Sequence, residues 1–111
     1  MIFWNDPSTV QTLRSALKQD RVILASGDTV LGLWGNVTLQ AFNQLNAIKQ
    51  RNDKPYLVTI DSVEKLSKFI DQPITDAMQM LMQTCWPGPV TLIFKARKDL
   101  AAWMVGADGT I

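Results

Sequence analysis

The sequence contains no histidine and only one cysteine, Cys85. The first absence removes histidine acid–base chemistry and the usual zinc ligand sets. The second removes any internal disulfide. No apolar run approaches the ~18–20 residues that a membrane-spanning helix requires. No stretch has the make-up of a secretory leader. Charge of one sign is also scarce: Lys+Arg number 11 and Asp+Glu 10, for a net charge of +1. With no global basic field, any contact with RNA has to come from local patches. These absences set the expectation of a cytoplasmic globular protein without a membrane anchor.

What is present fits one domain. The 111 residues are 47% hydrophobic and 19% charged, an ordinary globular balance. Asp6-Pro7 reads as a helix cap followed by proline at the first helical position, and Val10, Leu13, Ala16 and Leu17 recur at helical spacing, so a helix is predicted over about 7–19. Val22 to Ala25 is a short apolar run of the kind buried on both faces of a sheet, and Val30 to Trp34 resumes it. Thr38 can cap a second helix with Leu39, Phe42, Leu45 and Ile48 on one face. Tyr56 to Ile60 reads as a strand, and Asp61-Ser62-Val63-Glu64 has the form of a capping box before a helix carrying Val63, Leu66 and Ile70. A methionine-rich helix over 73–84, a strand over 90–94, a short helix over 100–105 and a turn at 106–109 complete the series. Strands alternating with helices predict an α/β fold with helical crossovers.

Three segments interrupt the core pattern. Ser26-Gly27-Asp28-Thr29-Val30-Leu31-Gly32 follows a strand, where open α/β folds place ligands. Its two glycines allow close backbone approach, while Asp28 and Thr29 offer an acceptor and a hydroxyl. A plain turn explains the same residues, and the Gly-Lys-Ser/Thr ending of a phosphate-binding P-loop is absent. Lys49-Gln50-Arg51-Asn52-Asp53-Lys54-Pro55 gathers three cations at a helix end. Helix carbonyls favour cations there, but the guanidinium fork of Arg51 and the point charges of Lys49 and Lys54 also suit phosphate oxygens. The third segment, Cys85-Trp86-Pro87-Gly88-Pro89-Val90-Thr91-Leu92, is a stiff turn. Trp86 reads as a packed anchor, and Cys85 has no histidine to activate it as a nucleophile. The methionines at 78, 80 and 82 read as core filler.

The order and spacing of these segments resemble the YrdC family. That family shows a Pro-Thr-Asp-Thr-Val-Tyr-Gly-Leu strand-loop, a Lys-x-Arg-Pro loop with Asp-Lys-Pro-Leu, and a Trp-Pro-Gly-Pro-Leu-Thr turn. Their counterparts are Ser26 to Leu33, Lys49 to Tyr56, and Trp86 to Thr91. Ser26-Gly27 stands where the family has Pro-Thr, Leu31 where it has an aromatic residue, and Asn52 where it has proline. The family domain continues well beyond this length, with an arginine strand and a Ser-x-Asn motif lining its nucleotide pocket. The resemblance therefore implies a YrdC-like twisted open mixed sheet with helical crossovers, incomplete at the C-terminus. A stop at Ile111, just after a turn, suggests truncation.

The resemblance also implies an activity, the ATP-dependent synthesis of threonylcarbamoyl-AMP from L-threonine and bicarbonate, for tRNA adenosine (t6A) modification by downstream proteins. ATP would be a substrate, with Mg²⁺ carried by the nucleotide and no metal site of the protein's own. Lys49 and Arg51 would act on the phosphates with Lys54 supporting them, while Asp28, Thr29 and Gly32 would shape the threonine/carbamate pocket. Two other readings stand beside this one. A non-catalytic module could bind tRNA or double-stranded RNA through Lys49, Arg51, Lys54, Lys95, Arg97 and Lys98. Alternatively, an inactive truncated chain could self-associate as a homo-oligomer through an unpaired sheet edge.

Overall fold

The computed structural model describes residues 6–51 and 54–111. The chain divides into two compact units, Met1–Asn52 and Asp53–Ile111.

The first unit contains two helices and a hairpin. Helix α1 spans Pro7–Lys18. It starts where the sequence predicts, because Asp6 Oδ1 accepts the Ser8 backbone N–H at 2.8 Å and satisfies one of the orphan donors of the first turn. It ends at Lys18, and just past its cap Gln19 comes Asp20, whose backbone is left-handed with φ 57°. Strands β1 (Ile23–Ser26) and β2 (Leu31–Trp34) pair antiparallel, with Ile23 opposite Trp34 and Ser26 opposite Leu31. Helix α1 packs on β1. Helix α2 spans Leu39–Lys49 and buries Ala41 and Leu45. These two side chains lie so close to Gly35 that a Cβ there would come within 3.2 Å of Ala41 Cβ and 3.3 Å of Leu45 Cδ1. Glycine at the exit of β2 thus lets α2 approach.

One polar link joins the ends of α1 and α2. Thr38 Oγ1 accepts the Ala41 backbone N–H at 3.2 Å and donates to Asp20 Oδ1 at 2.7 Å. One hydroxyl both caps α2 and holds the left-handed residue that closes α1. Replacing Thr38 with alanine is expected to cost about 1–2 kcal/mol, at or above an ordinary cap. Urea unfolding monitored by circular dichroism would measure it, and a loss below that of an exposed surface threonine would refute the double role.

The sequence reading of this unit needs two corrections. The described residues form a mixed α/β unit whose sheet is a two-stranded antiparallel hairpin, not a mixed sheet with helical crossovers. Nor is the first strand buried on both faces: its residues alternate, with Leu24 62% exposed, and Leu31 opposite Ser26 is equally exposed. The reason is geometric. A hairpin has two faces, and the face carrying Leu24, Leu31 and Leu33 receives little cover. On α2 the predicted stripe is half right, since Leu45 is buried while Leu39 and Ile48 remain largely exposed.

The second unit is built around Leu66, Ile70, Met82 and Phe94, flanked by Ile60, Phe69, Met78, Trp86, Leu92 and Ile111. A 3₁₀ helix at Val63–Lys68 supplies Leu66, and helix α3, Asp76–Cys85, supplies Met82. The 3₁₀ helix departs from the expected capping box. Its cap position is Ser62, which makes no side-chain capping bond, while Asp61 instead pairs with Lys65 one turn on. Helix α3 starts at its threonine cap, Thr75, which accepts the Met78 N–H at 3.3 Å. Of the methionines expected to fill the core, Met82 is buried and Met78 packs against it, but Met80 is 69% exposed. Residues two apart on a helix face different sides.

The strands expected over 56–60 and 90–94 do not form ladders. Tyr56 to Ile60 keeps the period-two burial of a strand, with Leu57 turned outward and Ile60 on the core, but lies in no sheet. Pairing shifts downstream instead. Phe94 and Ile111 exchange both backbone hydrogen bonds at 2.9 Å, and Ala96 N–H reaches Gly109 O at 3.0 Å. The turn at 106–109 brings these segments together, with Gly109 at φ 79° and its N–H bonded to Gly106 O. The short helix expected over 100–105 is a 3₁₀ turn, Ala102–Met104.

Arg97 ties this unit together. Its guanidinium forks onto Asp99 with two bonds of 2.8 Å, donates to Ser67 O at 3.2 Å and lies 3.6 Å from Asp71. The hydrogen bonds from Arg97 hold the Asp99 carboxyl below its ordinary value. A lowered carboxyl pKa contributes stability that is present above the unfolded-state value and is lost as the pH falls through the folded one. The pair is exposed, so the effect is small. Stability should fall as the pH drops below the ordinary aspartate range, and Asp99→Asn should flatten that part of the profile. An unchanged acid limb in the variant would refute the link.

Candidate functional site

The hairpin brings together three of the predicted site residues. Asp28 and Thr29 sit in the exposed connection between β1 and β2, which Gly27 N–H closes onto Val30 O at 2.9 Å. Neither side chain makes a hydrogen bond among the described residues, so both present polar groups to whatever meets the loop. Gly32 lies on β2 opposite Ala25. A Cβ at 32 would meet nothing nearer than Trp34 Nε1 at 3.7 Å, so local packing does not require glycine there.

Gly27 is different, because a Cβ there would come within 3.1 Å of the Trp34 ring. Trp34 also donates from Nε1 to Ala25 O at 3.1 Å. The indole therefore lies along the hairpin, against the small residues Ala25, Gly27 and Gly32, and reaches the start of the loop. Sequence reasoning missed this residue. The signal was the run of small residues at 25, 27 and 32, which leaves room for a large ring on one face of the ribbon.

The cations follow α2, later in the same unit. Lys49 closes α2 and is exposed. Gln50 follows in the left-handed region, φ 50° and ψ 48°, with its N–H on Asn46 O. The Arg51 backbone N–H also reaches Asn46 O, at 3.1 Å. Two bonds onto one carbonyl close the helix end just where the two cations stand. Arg51 is half-buried, with its Nε enclosed. Asp28, Thr29, Gly32, Lys49 and Arg51 thus belong to one compact unit, while Lys54 belongs to the second and is exposed. Asn52 and Asp53 lie outside the described residues.

The third predicted segment is a structural turn. The Trp86–Pro87 bond is cis, and Trp86 Nε1 donates to Val90 O at 2.7 Å while the ring packs on the core of the second unit. Gly88 is required by space, because a Cβ would lie 2.5 Å from the Cys85 carbonyl oxygen. Of the six cations considered for RNA, Arg97 is committed to Asp99 and Asp71. Among the described residues no group of three or more histidine, cysteine or acidic side chains could hold a metal ion. No helix among them is long and apolar enough to cross a membrane.

Comparison with known proteins adds what the geometry alone does not. The Sua5_yciO_yrdC family model, described as "Telomere recombination", matches residues 15–111. Three similar curated proteins are each named threonylcarbamoyl-AMP synthase. The one from Photorhabdus laumondii is 31% identical over 104 residues, covering 91% of this chain and 55% of its own length. The one from Klebsiella pneumoniae is 32% identical over 95 residues, covering 83% and 50%. The one from Blochmanniella floridana is 32% identical over 106 residues, covering 93% and 56%. The chain thus spans about half the length of these relatives. No solved structure gives a significant match. Because the family match runs through all three motifs and nearly to both ends, the chain belongs to the Sua5/YciO/YrdC family.

Proposed function

We propose that this chain contributes the nucleotide-phosphate and carbamate side of a threonylcarbamoyl-AMP synthase. The reading is carried by one observation: the match to proteins of that name extends across both the hairpin loop and the cations that end α2. In the proposed reaction the amine of L-threonine adds to carbon dioxide derived from bicarbonate and loses a proton, giving a carbamate. A carbamate oxygen then attacks the α-phosphorus of ATP. The bond to the β-phosphate oxygen breaks, and pyrophosphate leaves with the electron pair.

This chemistry needs positioning and charge stabilisation more than a proton relay, so a chain without histidine suits it. Lys49 and Arg51 neutralise charge on the leaving pyrophosphate, with Mg²⁺ arriving on the nucleotide. Thr29 and Asp28 offer a hydroxyl and a carboxylate to the threonine carbamate, and Gly32 keeps the strand beside them narrow. The product would pass to proteins that modify tRNA. RNA binding without catalysis gains nothing from the committed Arg97 and the near-neutral net charge.

The test is ATP–pyrophosphate exchange together with calorimetric titration of magnesium ATP into the chain. Exchange that depends on both threonine and bicarbonate supports the reading. Absence of magnesium ATP binding, or exchange indifferent to threonine, overturns it.

A further inference from the structure

Two residues other than glycine adopt left-handed backbone among the described residues, Asp20 and Gln50, and each closes a helix. Their circumstances differ. Aspartate is among the residues that enter this region more readily, and the Asp20 side chain is used there, accepting from Thr38 at 2.7 Å. Gln50 has neither excuse. Glutamine gains no local stabilisation in the left-handed region, and the exposed Gln50 side chain makes no hydrogen bond among the described residues. Glycine would fill the same position without steric conflict and is the usual choice at a helix end of this form. A side chain kept at a conformational cost, between the two cations assigned to phosphate, points to a use outside the protein's own packing.

We infer that Gln50 is a ligand-binding residue of the nucleotide site, its amide nitrogen donating to the same phosphate oxyanions that Lys49 and Arg51 neutralise. The inference rests on the function proposed above and extends it to a neutral donor. An amide suits this task because its NH₂ adds hydrogen bonds to an oxyanion without adding another charge beside two existing cations. The left-handed residue directly follows the last residue of α2, Lys49, and precedes Arg51.

The experiment pairs two variants that differ in backbone strain but share the loss of the amide. Gln50→Gly removes both the strain and the donor, while Gln50→Ala removes the donor alone. Each is titrated with magnesium ATP and with magnesium tripolyphosphate by calorimetry, and each is melted without ligand. Both variants should bind both ligands about tenfold more weakly than the parent chain. Gln50→Gly alone should melt higher, by about 4 °C. If Gln50→Gly binds as tightly as the parent, the residue is merely tolerated and the inference fails while the nucleotide reading stands. If Gln50→Gly melts no higher than Gln50→Ala, the strain argument fails. If the parent chain itself binds neither ligand, the nucleotide reading falls and takes this inference with it.

Discussion

Replacing Phe94 by alanine should unfold the second unit or leave it barely folded. The side chain is 6% exposed and belongs to a small core cluster with Leu66, Ile70 and Met82. Deleting a buried phenylalanine costs about 3–5 kcal/mol, partly as lost transfer energy and partly as the cavity left behind. Small domains have total stabilities near the low end of about 5–15 kcal/mol, so this loss is comparable with the whole. The neighbouring Ile93 provides the control. It is 74% exposed, and Ile93→Ala should change stability by less than about 0.5 kcal/mol. Two adjacent residues of similar hydrophobicity would thus differ about tenfold in effect, solely because one points inward. Urea unfolding followed by tryptophan emission measures both, and equal midpoints for the two variants would refute the core as described.

Arg51→Ala should abolish most magnesium ATP affinity, by about 10–100-fold, the scale of one or two hydrogen bonds to a charged group. The side chain is half-buried and engaged with the protein, so the variant must be separated from simple loss of structure. Arg51→Lys serves that purpose. It keeps the charge and most of the packing but loses the planar fork, and should lie between the parent and the alanine variant. Lys49→Ala, at an exposed position, should weaken binding less than Arg51→Ala does. Circular dichroism should show α2 intact in all three. Unchanged affinity in Arg51→Ala, with α2 still folded, would remove Arg51 from the site.

The helices were the most legible part of the sequence. Asp6 and Thr38 cap α1 and α2 as predicted, and capping depends on a short side chain reaching its own backbone, whereas the pattern predicts a start for α3 at Pro73 and the helix begins at Asp76 behind Thr75. Such local chemistry can be read from neighbouring residues. The strands were less legible, because a ladder needs a partner that no local pattern specifies. Tyr56 to Ile60 has the alternation of a strand and no place in a sheet, whereas Phe94 pairs with Ile111 across a turn whose role is clear only in three dimensions. At the candidate site, the residue types at 28, 29, 49 and 51 could be picked out by family likeness. The strained backbone at Gln50 and the indole lying along the hairpin could not. Both depend on conformations that follow from packing, not from residue type.

The position of Trp34 gives the molecule an optical handle on its own loop. The indole N–H is anchored to the Ala25 carbonyl, and the ring edge rests where the chain turns at Gly27. Emission from an indole shifts with the polarity and rigidity around it. A ligand that orders or displaces the segment bearing Asp28 and Thr29 would therefore alter the colour of this tryptophan without any added label.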